Sequence, residues 1–236
     1  MKCAGLVGGI AWPSTLAYYE LINREVQQRL GGLHSARLLI ASLDFAQVHA
    51  EMDAGRPQRA AALMCDAARS LGAAGAEVVA ILANTGHFAA EEVEAAAGVP
   101  LVHIGRETAR GVRQSQPGLR RLGLAGTSYS LQARFFAGAF EVQGFELVLP
   151  TAAERDTLDA LIFGELARGE GGPAGAARFA GIAQALADCG AEGLVLGCTE
   201  LRELLPWWQP PLPVFDSTAL HARAIVREML APAPSH

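Results

Sequence analysis

The chain has little of what several large functional classes require. Lysine and arginine number 19 against 24 aspartates and glutamates, and a net charge of −5 supplies no basic stripe of the kind that neutralises a phosphate backbone. Nucleic acid is therefore not an expected partner. Gly, Arg, Asp or Glu interrupts every apolar stretch well short of the roughly 20 residues a membrane-crossing helix needs, so no membrane partner is expected either. Lys2 ahead of the apolar residues 3–12 superficially resembles a signal peptide. Gly8-Gly9 within that run, and the helical pattern after it, favour a first buried strand and a cytoplasmic protein. The four cysteines, Cys3, Cys65, Cys189 and Cys198, show no Cys-x-x-Cys spacing, which argues against a zinc site and gives no disulfide framework. Gly8-Gly9 with Ser14-Thr15 lacks the third glycine of a dinucleotide fingerprint and does not match a phosphate loop, so no nucleotide cofactor is indicated.

What the chain does have is alternation. Strand-like residues 4–7 run into Gly8-Gly9, and Pro13-Ser14-Thr15 opens an amphipathic helix over 16–30, with Ser or Thr expected as the cap. A strand at 37–43, an Ala-rich helix at 57–71, a strand at 78–82, a helix at 88–97 and a strand at 99–104 follow. The second half repeats this order, with a strand at 121–125, the turn Gly126-Thr127-Ser128, a helix at 131–142 and a strand at 145–149. Helices at 157–167 and 174–189 lead to a strand at 193–196 that ends at Cys198, and a strand at 214–215 and a helix at 218–230 close the chain. Gly9 and Gly126 lie 117 positions apart, Ala83 and Cys198 115, so an internal duplication is the economical explanation. The expected class is α/β: two pseudo-symmetric domains, each a mostly parallel sheet flanked by helices, with the active site in the cleft between them. Residues 1–100 with 215–236 would form the first domain and 101–214 the second.

In open parallel sheets, ligands gather where strands end and helix N-termini present unpaired N–H groups. Gly8-Gly9, Ala83-Asn84-Thr85, Gly126-Thr127-Ser128 and Cys198-Thr199 all occupy that position. Singly each reads as a helix cap; as four in duplicated order they suit an anion, most simply a carboxylate. Cys198, placed before a helix, is expected to have its thiol pKa lowered from about 8.5 and to serve as nucleophile or proton-transfer base. Cys3, Cys65 and Cys189 lie in apolar runs and read as small hydrophobes. His87 could polarise a substrate or hold its turn, whereas His103 and His221 read as core residues. Trp207-Trp208 suits packing or a subunit contact more than ligand stacking.

Five segments together carry a resemblance: Gly5-Leu6-Val7-Gly8-Gly9 with Ser14-Thr15, Asn84-Thr85-Gly86-His87, Gly126-Thr127, Gly197-Cys198-Thr199-Glu200, and Pro213-Val214-Phe215-Asp216. Across nearly its whole length the chain resembles the cofactor-independent aspartate/glutamate racemases, and within them the broad-specificity L-aspartate/glutamate branch. The wider group also holds hydantoin racemases and arylmalonate decarboxylases. The resemblance implies a homodimer, an amino acid or carboxylate substrate, and two cysteines on opposite faces of the α-carbon, with neither pyridoxal nor metal. It further implies substrate contacts at Ile10, Met52, Asn84, Thr85, Thr127 and Thr199.

Cys198 falls on the second cysteine and Ala83 on the first. A methyl can neither give nor take a proton, which excludes a symmetrical two-thiol racemase. Four readings follow: a variant made to trap ligand, replacement of the missing acid by Thr85, His87 or a held water, a single-cysteine decarboxylase, or binding without turnover. The position of the family's distal-carboxylate lysine aligns with Ala167, with Arg168 or Arg56 as candidates to compensate.

Overall fold

Alternate residues of each central strand feed two separate cores, and this places helices on both faces of each sheet. The computed structural model describes residues 1–132 and 134–232. In chain order the elements are β1 (Ala4–Gly8), α1 (Trp12–Leu30), β2 (Leu38–Ser42), α2 (Phe45–Asp53), α3 (Pro57–Ala73), β3 (Val78–Ile81) and α4 (Ala90–Ala97). Then come α5 (Ile104–Ser115), β4 (Arg121–Ala125), α6 (Ser128–Gln132), α7 (Arg134–Val142), β5 (Glu146–Val148) and α8 (Ala152–Gly164). The last are α9 (Pro173–Asp188), β6 (Gly193–Leu196), β7 (Val214–Asp216) and α10 (Ser217–Leu230). Two compact units result, Met1–His103 with the segment from His221 onward, and Ile104–Leu220.

In the first unit a parallel sheet runs β2-β1-β3. Leu6, Val78 and Ala80 pack with Tyr18 and Ile22 of α1 and Ile225 of α10. Their neighbours Val7, Val79 and Ile81 point the other way, onto Met64 and Ala68 of α3 and Val93 of α4. The second unit repeats the plan with a parallel sheet β5-β4-β6-β7. Leu194 and Leu196 join Leu161 of α8 and Phe179 of α9, while Leu122, Leu124 and Val195 join Val112 of α5 and Phe140 of α7. Strands buried on both faces read as continuous apolar runs, which is why β1, β3 and β6 were legible.

Several expectations are corrected. The strand expected at 99–104 shrinks to one parallel bridge, Leu101 beside Val79, because Ile104 already begins α5. Val79 N–H donates to the Pro100 carbonyl and Val102 N–H returns the bond to the Val79 carbonyl, the two bonds of a parallel bridge. The order β2-β1-β3 with this bridge beside β3 matches β5-β4-β6-β7 strand for strand. The first helix starts at Trp12 with Ala11 as its uncapped N-cap residue. Thr15, inside the helix, accepts the Gly9 N–H at 2.8 Å instead of capping. Residues 215–220 fall in the second unit, because β7 pairs with β6 in its sheet. The helix expected at 131–142 appears as α6 and α7, with residue 133 outside the described residues. The helix expected at 157–167 starts earlier, at a capping box of Thr151 and Glu154.

Gly9 fixes the turn after β1. Its φ is +83°, and a Cβ there would collide with the Leu43 backbone. Gly31, after α1, has φ +73° but open space around it. Gly31→Ala should therefore cost only the left-handed penalty of about 1–2 kcal/mol. Gly9→Ala adds a backbone clash to that and should cost clearly more, as read from urea unfolding of the two variants; equal losses would refute the close approach.

Candidate active site

Both sheets are parallel, so each gathers the carboxyl ends of its strands on one edge. In the second unit β4 and β6 are paired through Ala125 and Leu196, and Gly126 and Gly197 follow at once. The Gly197 N–H donates to the Ala125 carbonyl at 2.6 Å. A Cβ on Gly126 would stand 3.0 Å from the Gly197 carbonyl oxygen, and one on Gly197 would stand 2.9 Å from Leu124. This absence of side chains lets the two turns approach, and it sets Thr127 and Cys198 one residue beyond the same pair.

Cys198 is buried among Leu161, Phe179, Leu201 and Leu204. Its Sγ–H donates to Glu200 Oε2 at 2.8 Å, and the Thr199 hydroxyl donates to the same oxygen at 2.7 Å. Burial, and then the Glu200 carboxylate, push the thiol well above its ordinary pKa, although the Glu200 and Leu201 amides favour the thiolate. The expected lowering is thus overturned. The helix after Cys198 is a 3₁₀ stretch, Thr199–Trp207, which offers no long column of aligned peptide dipoles to offset the buried carboxylate. Arg202 in that stretch pairs with Asp216 at 3.1 Å, and Asp216 also accepts the Thr218 N–H at 2.9 Å, tying the turn to the start of α10. Thr127 donates to Ser130 Oγ at 3.0 Å and accepts the Ser130 N–H, which makes it the local brace of α6.

The first unit presents the matching edge. Ala83 lies one residue beyond Leu82, whose N–H donates to the Val7 carbonyl, and it is buried in one cluster with Ile10 and Ile81. Asn84 is buried and Thr85 half-buried at the start of a 3₁₀ turn, Thr85–Ala89. His87 Nδ1 bonds the Ala83 carbonyl at 2.8 Å, so His87 holds the turn. Its ring lies 4.7 Å from that of His103 and 5.7 Å from that of His221. His221 accepts the Tyr18 hydroxyl at Nδ1 and donates from Nε2 to the Val102 carbonyl, both at 2.8 Å. Met52 is half-buried on α2, one residue beyond Glu51, which binds Arg56 at 2.6 Å. That bond commits Arg56 to Glu51, while Arg168 is exposed and Ala167 half-buried.

A family model described as Asp/Glu/Hydantoin racemase matches residues 7–225. The chain belongs to that family. Among solved structures it is similar to a candidate Asp/Glu racemase from Yersinia pestis, at 38% identity and a TM-score of 0.87 over 98% of this chain and 100% of that one. An aspartate racemase homologue from Pyrococcus horikoshii OT3 is 31% identical, with a TM-score of 0.79 over 98% and 100%. The aspartate racemase of Picrophilus torridus, at 15% identity and 0.79 over 97% and 94%, shares the fold. Within this racemase family frame, Glu200 and Ser130 are polar partners of the candidate site that the sequence reading did not assign. Glu200 could have been found from its place two residues after Cys198, a spacing that a tight turn closes. Among the described residues no helix is long and apolar enough to cross a membrane, and no group of three His, Cys, Asp or Glu side chains is placed to hold a metal ion.

Two measurements follow from the burial of these groups. Burial, and then the His103 and His221 charges, hold His87 well below its usual pKa, and burial above all takes His221 to about 3. The folded chain then refuses protons that the unfolded chain accepts near pH 6.5. Stability is full above that pH and falls as pH drops toward 3. Between pH 6 and 5 the urea-unfolding free energy should decline by about 1.4 kcal/mol per pH unit for each such histidine; a flat profile would contradict it. For Cys198, iodoacetamide at pH 8 should label exposed Cys189 while sparing buried Cys198 in the folded protein, as read by peptide mass analysis; labelling of Cys198 alongside Cys189 would contradict the raised pKa.

Proposed function

We propose that this chain is a cofactor-independent amino acid isomerase that moves the α-proton through Cys198 alone. The observation that carries the reading is the contrast between the two strand ends: a hydrogen-bonded thiol at Cys198 and a methyl at Ala83. Abstraction of an α-proton needs a strong base, and a thiolate whose conjugate thiol has a raised pKa is the stronger base. The resulting carbanion carries its charge on the carboxylate, where donors of Asn84 and Thr85 and the backbone amides of Thr127 and Thr199 would stabilise it, the Thr127 and Thr199 hydroxyls being engaged with Ser130 and Glu200. Ile10 and Met52 would line the apolar side of the substrate.

A single thiol serves one face of the α-carbon. Inversion therefore requires a second donor, from Thr85 or a held water, and would be slow or favour one enantiomer. One-face protonation also suits a decarboxylase, in which loss of carbon dioxide makes the carbanion. Since a relative is an aspartate racemase homologue, aspartate and glutamate head the substrate panel. Neutral amino acids follow, because Arg56 is committed to Glu51. A homodimer is part of the proposal, and sedimentation equilibrium reads it directly.

The test is exchange of the α-hydrogen in deuterated water, followed by proton NMR together with chiral analysis. We expect deuterium uptake to outrun inversion in the wild type and to vanish in Cys198→Ala. Ala83→Cys should raise inversion by about 100-fold or more, the scale of one acid/base group. Exchange that survives in Cys198→Ala would eliminate the assignment, and carbon dioxide release from a malonate would select the decarboxylase.

A further inference from the structure

The thiol at Cys198 raises a difficulty of proton supply. It rests in the protonated form, yet the proposed reaction needs it as a thiolate. Its proton is directed at Glu200 Oε2, at 2.8 Å, on a residue that is itself 7% exposed. The Thr199 hydroxyl, donating to the same oxygen, aims that oxygen at the sulfur. The amides of Glu200 and Leu201 bond the sulfur from the backbone and would hold a thiolate once formed. Next along the turn, Glu203 is half-buried, its carboxyl pushed up by burial and then by the Glu200 charge, with Arg202 acting in the opposite sense. Arg202 in turn is paired with Asp216.

We propose that Glu200 is the proton-accepting partner of Cys198, a positioning residue that aims the thiol and takes its proton so that the sulfur can attack the α-hydrogen. In the first step the S–H bond breaks, the proton passes to Oε2, and the pair keeps one negative charge, now on sulfur. The thiolate then removes the α-proton, leaving a neutral thiol, a neutral Glu200 carboxyl and a carbanion on the substrate. Exchange of the thiol proton with solvent and its return to carbon regenerate the thiolate, and Glu200 then hands its proton back to sulfur, restoring thiol and carboxylate. No other reactant is consumed. The role rests on the proton-transfer function proposed above.

Glu200→Gln and Glu200→Asp separate this role from shape and from simple repulsion. Glutamine keeps the shape and an accepting oxygen but takes no proton; aspartate keeps the base and shortens the arm. Exchange of the α-hydrogen should fall by about 100-fold or more in Glu200→Gln. Iodoacetamide labelling of Cys198 at pH 8 should meanwhile rise above the wild-type rate, because loss of the neighbouring charge lowers the thiol pKa. Glu200→Asp should keep more exchange than Glu200→Gln, the opposite of the order that shape alone demands.

Exchange in Glu200→Gln at or above the wild-type rate would overturn the role and leave the function standing. If the wild type exchanges no member of the substrate panel, the function fails and the role with it. Should Glu200→Gln lack a cooperative urea transition, Glu200→Asp decides: exchange within about tenfold of wild type supports proton acceptance, and exchange as low as in Cys198→Ala overturns it.

Discussion

Parallel pairing of every strand is the constraint on which the rest depends. β1 pairs in parallel with β2 and β3, β4 with β5 and β6, and β6 with β7. A parallel strand leaves its sheet at the same edge as its neighbours, so the turns after β1 and β3 share one edge, and those after β4 and β6 share another. Reversing β6 alone would carry Cys198 to the opposite end of its sheet from Thr127. Chemistry that needs a thiol and hydroxyls together is thus bought by strand direction before any single side chain is chosen.

Direction brings the turns to one edge, and glycine lets them touch. Gly126 and Gly197 stand where any side chain would press on the facing backbone or on Leu124, and Gly9 stands against Leu43. The approach creates buried polar groups, and most of them find partners within the fold. Glu200 is satisfied by Cys198 and Thr199, His87 by the Ala83 carbonyl, and His221 by Tyr18 and the Val102 carbonyl. The two units use opposite electrostatics for the purpose. The second buries a carboxylate beside a thiol, whereas the first buries imidazoles held neutral.

Much of this was readable from the chain itself. The apolar runs of β1, β3 and β6 and the glycines after them located the edges, and the repeated spacing disclosed the two units. α2 and α5 were not read. α2 buries little beyond Val48 and presents no strong apolar period, whereas α5 is amphipathic, burying Ile104, Thr108, Ala109 and Val112, and was missed because its first residue was read as the end of a strand. The strand expected at 99–104 failed for a related reason, since a short apolar run ending in Ile104 serves equally as a helix start. The thiol pKa was misjudged because position before a helix was weighed without Glu200. That carboxylate reaches the sulfur only once the turn closes, and its effect together with burial exceeds that of the two favourable amides.

The same electrostatics narrow which group could stand in for the missing thiol. His87 adjoins the Ala83 slot and is the residue type most often used as an acid near neutral pH. Here it is neutral, held so by burial and by its histidine neighbours, and its Nδ1 is engaged with the Ala83 carbonyl. A neutral imidazole can give up a proton only by becoming an anion, which a buried apolar setting opposes. The second donor, if inversion occurs, is therefore better sought in Thr85, which is half-buried at the start of its turn, or in solvent water. Either is a weak acid beside a thiol. On that physical ground the chain should favour proton exchange on the Cys198 face over inversion, and the size of the preference is set by the difference in acidity between a thiol and a hydroxyl or water.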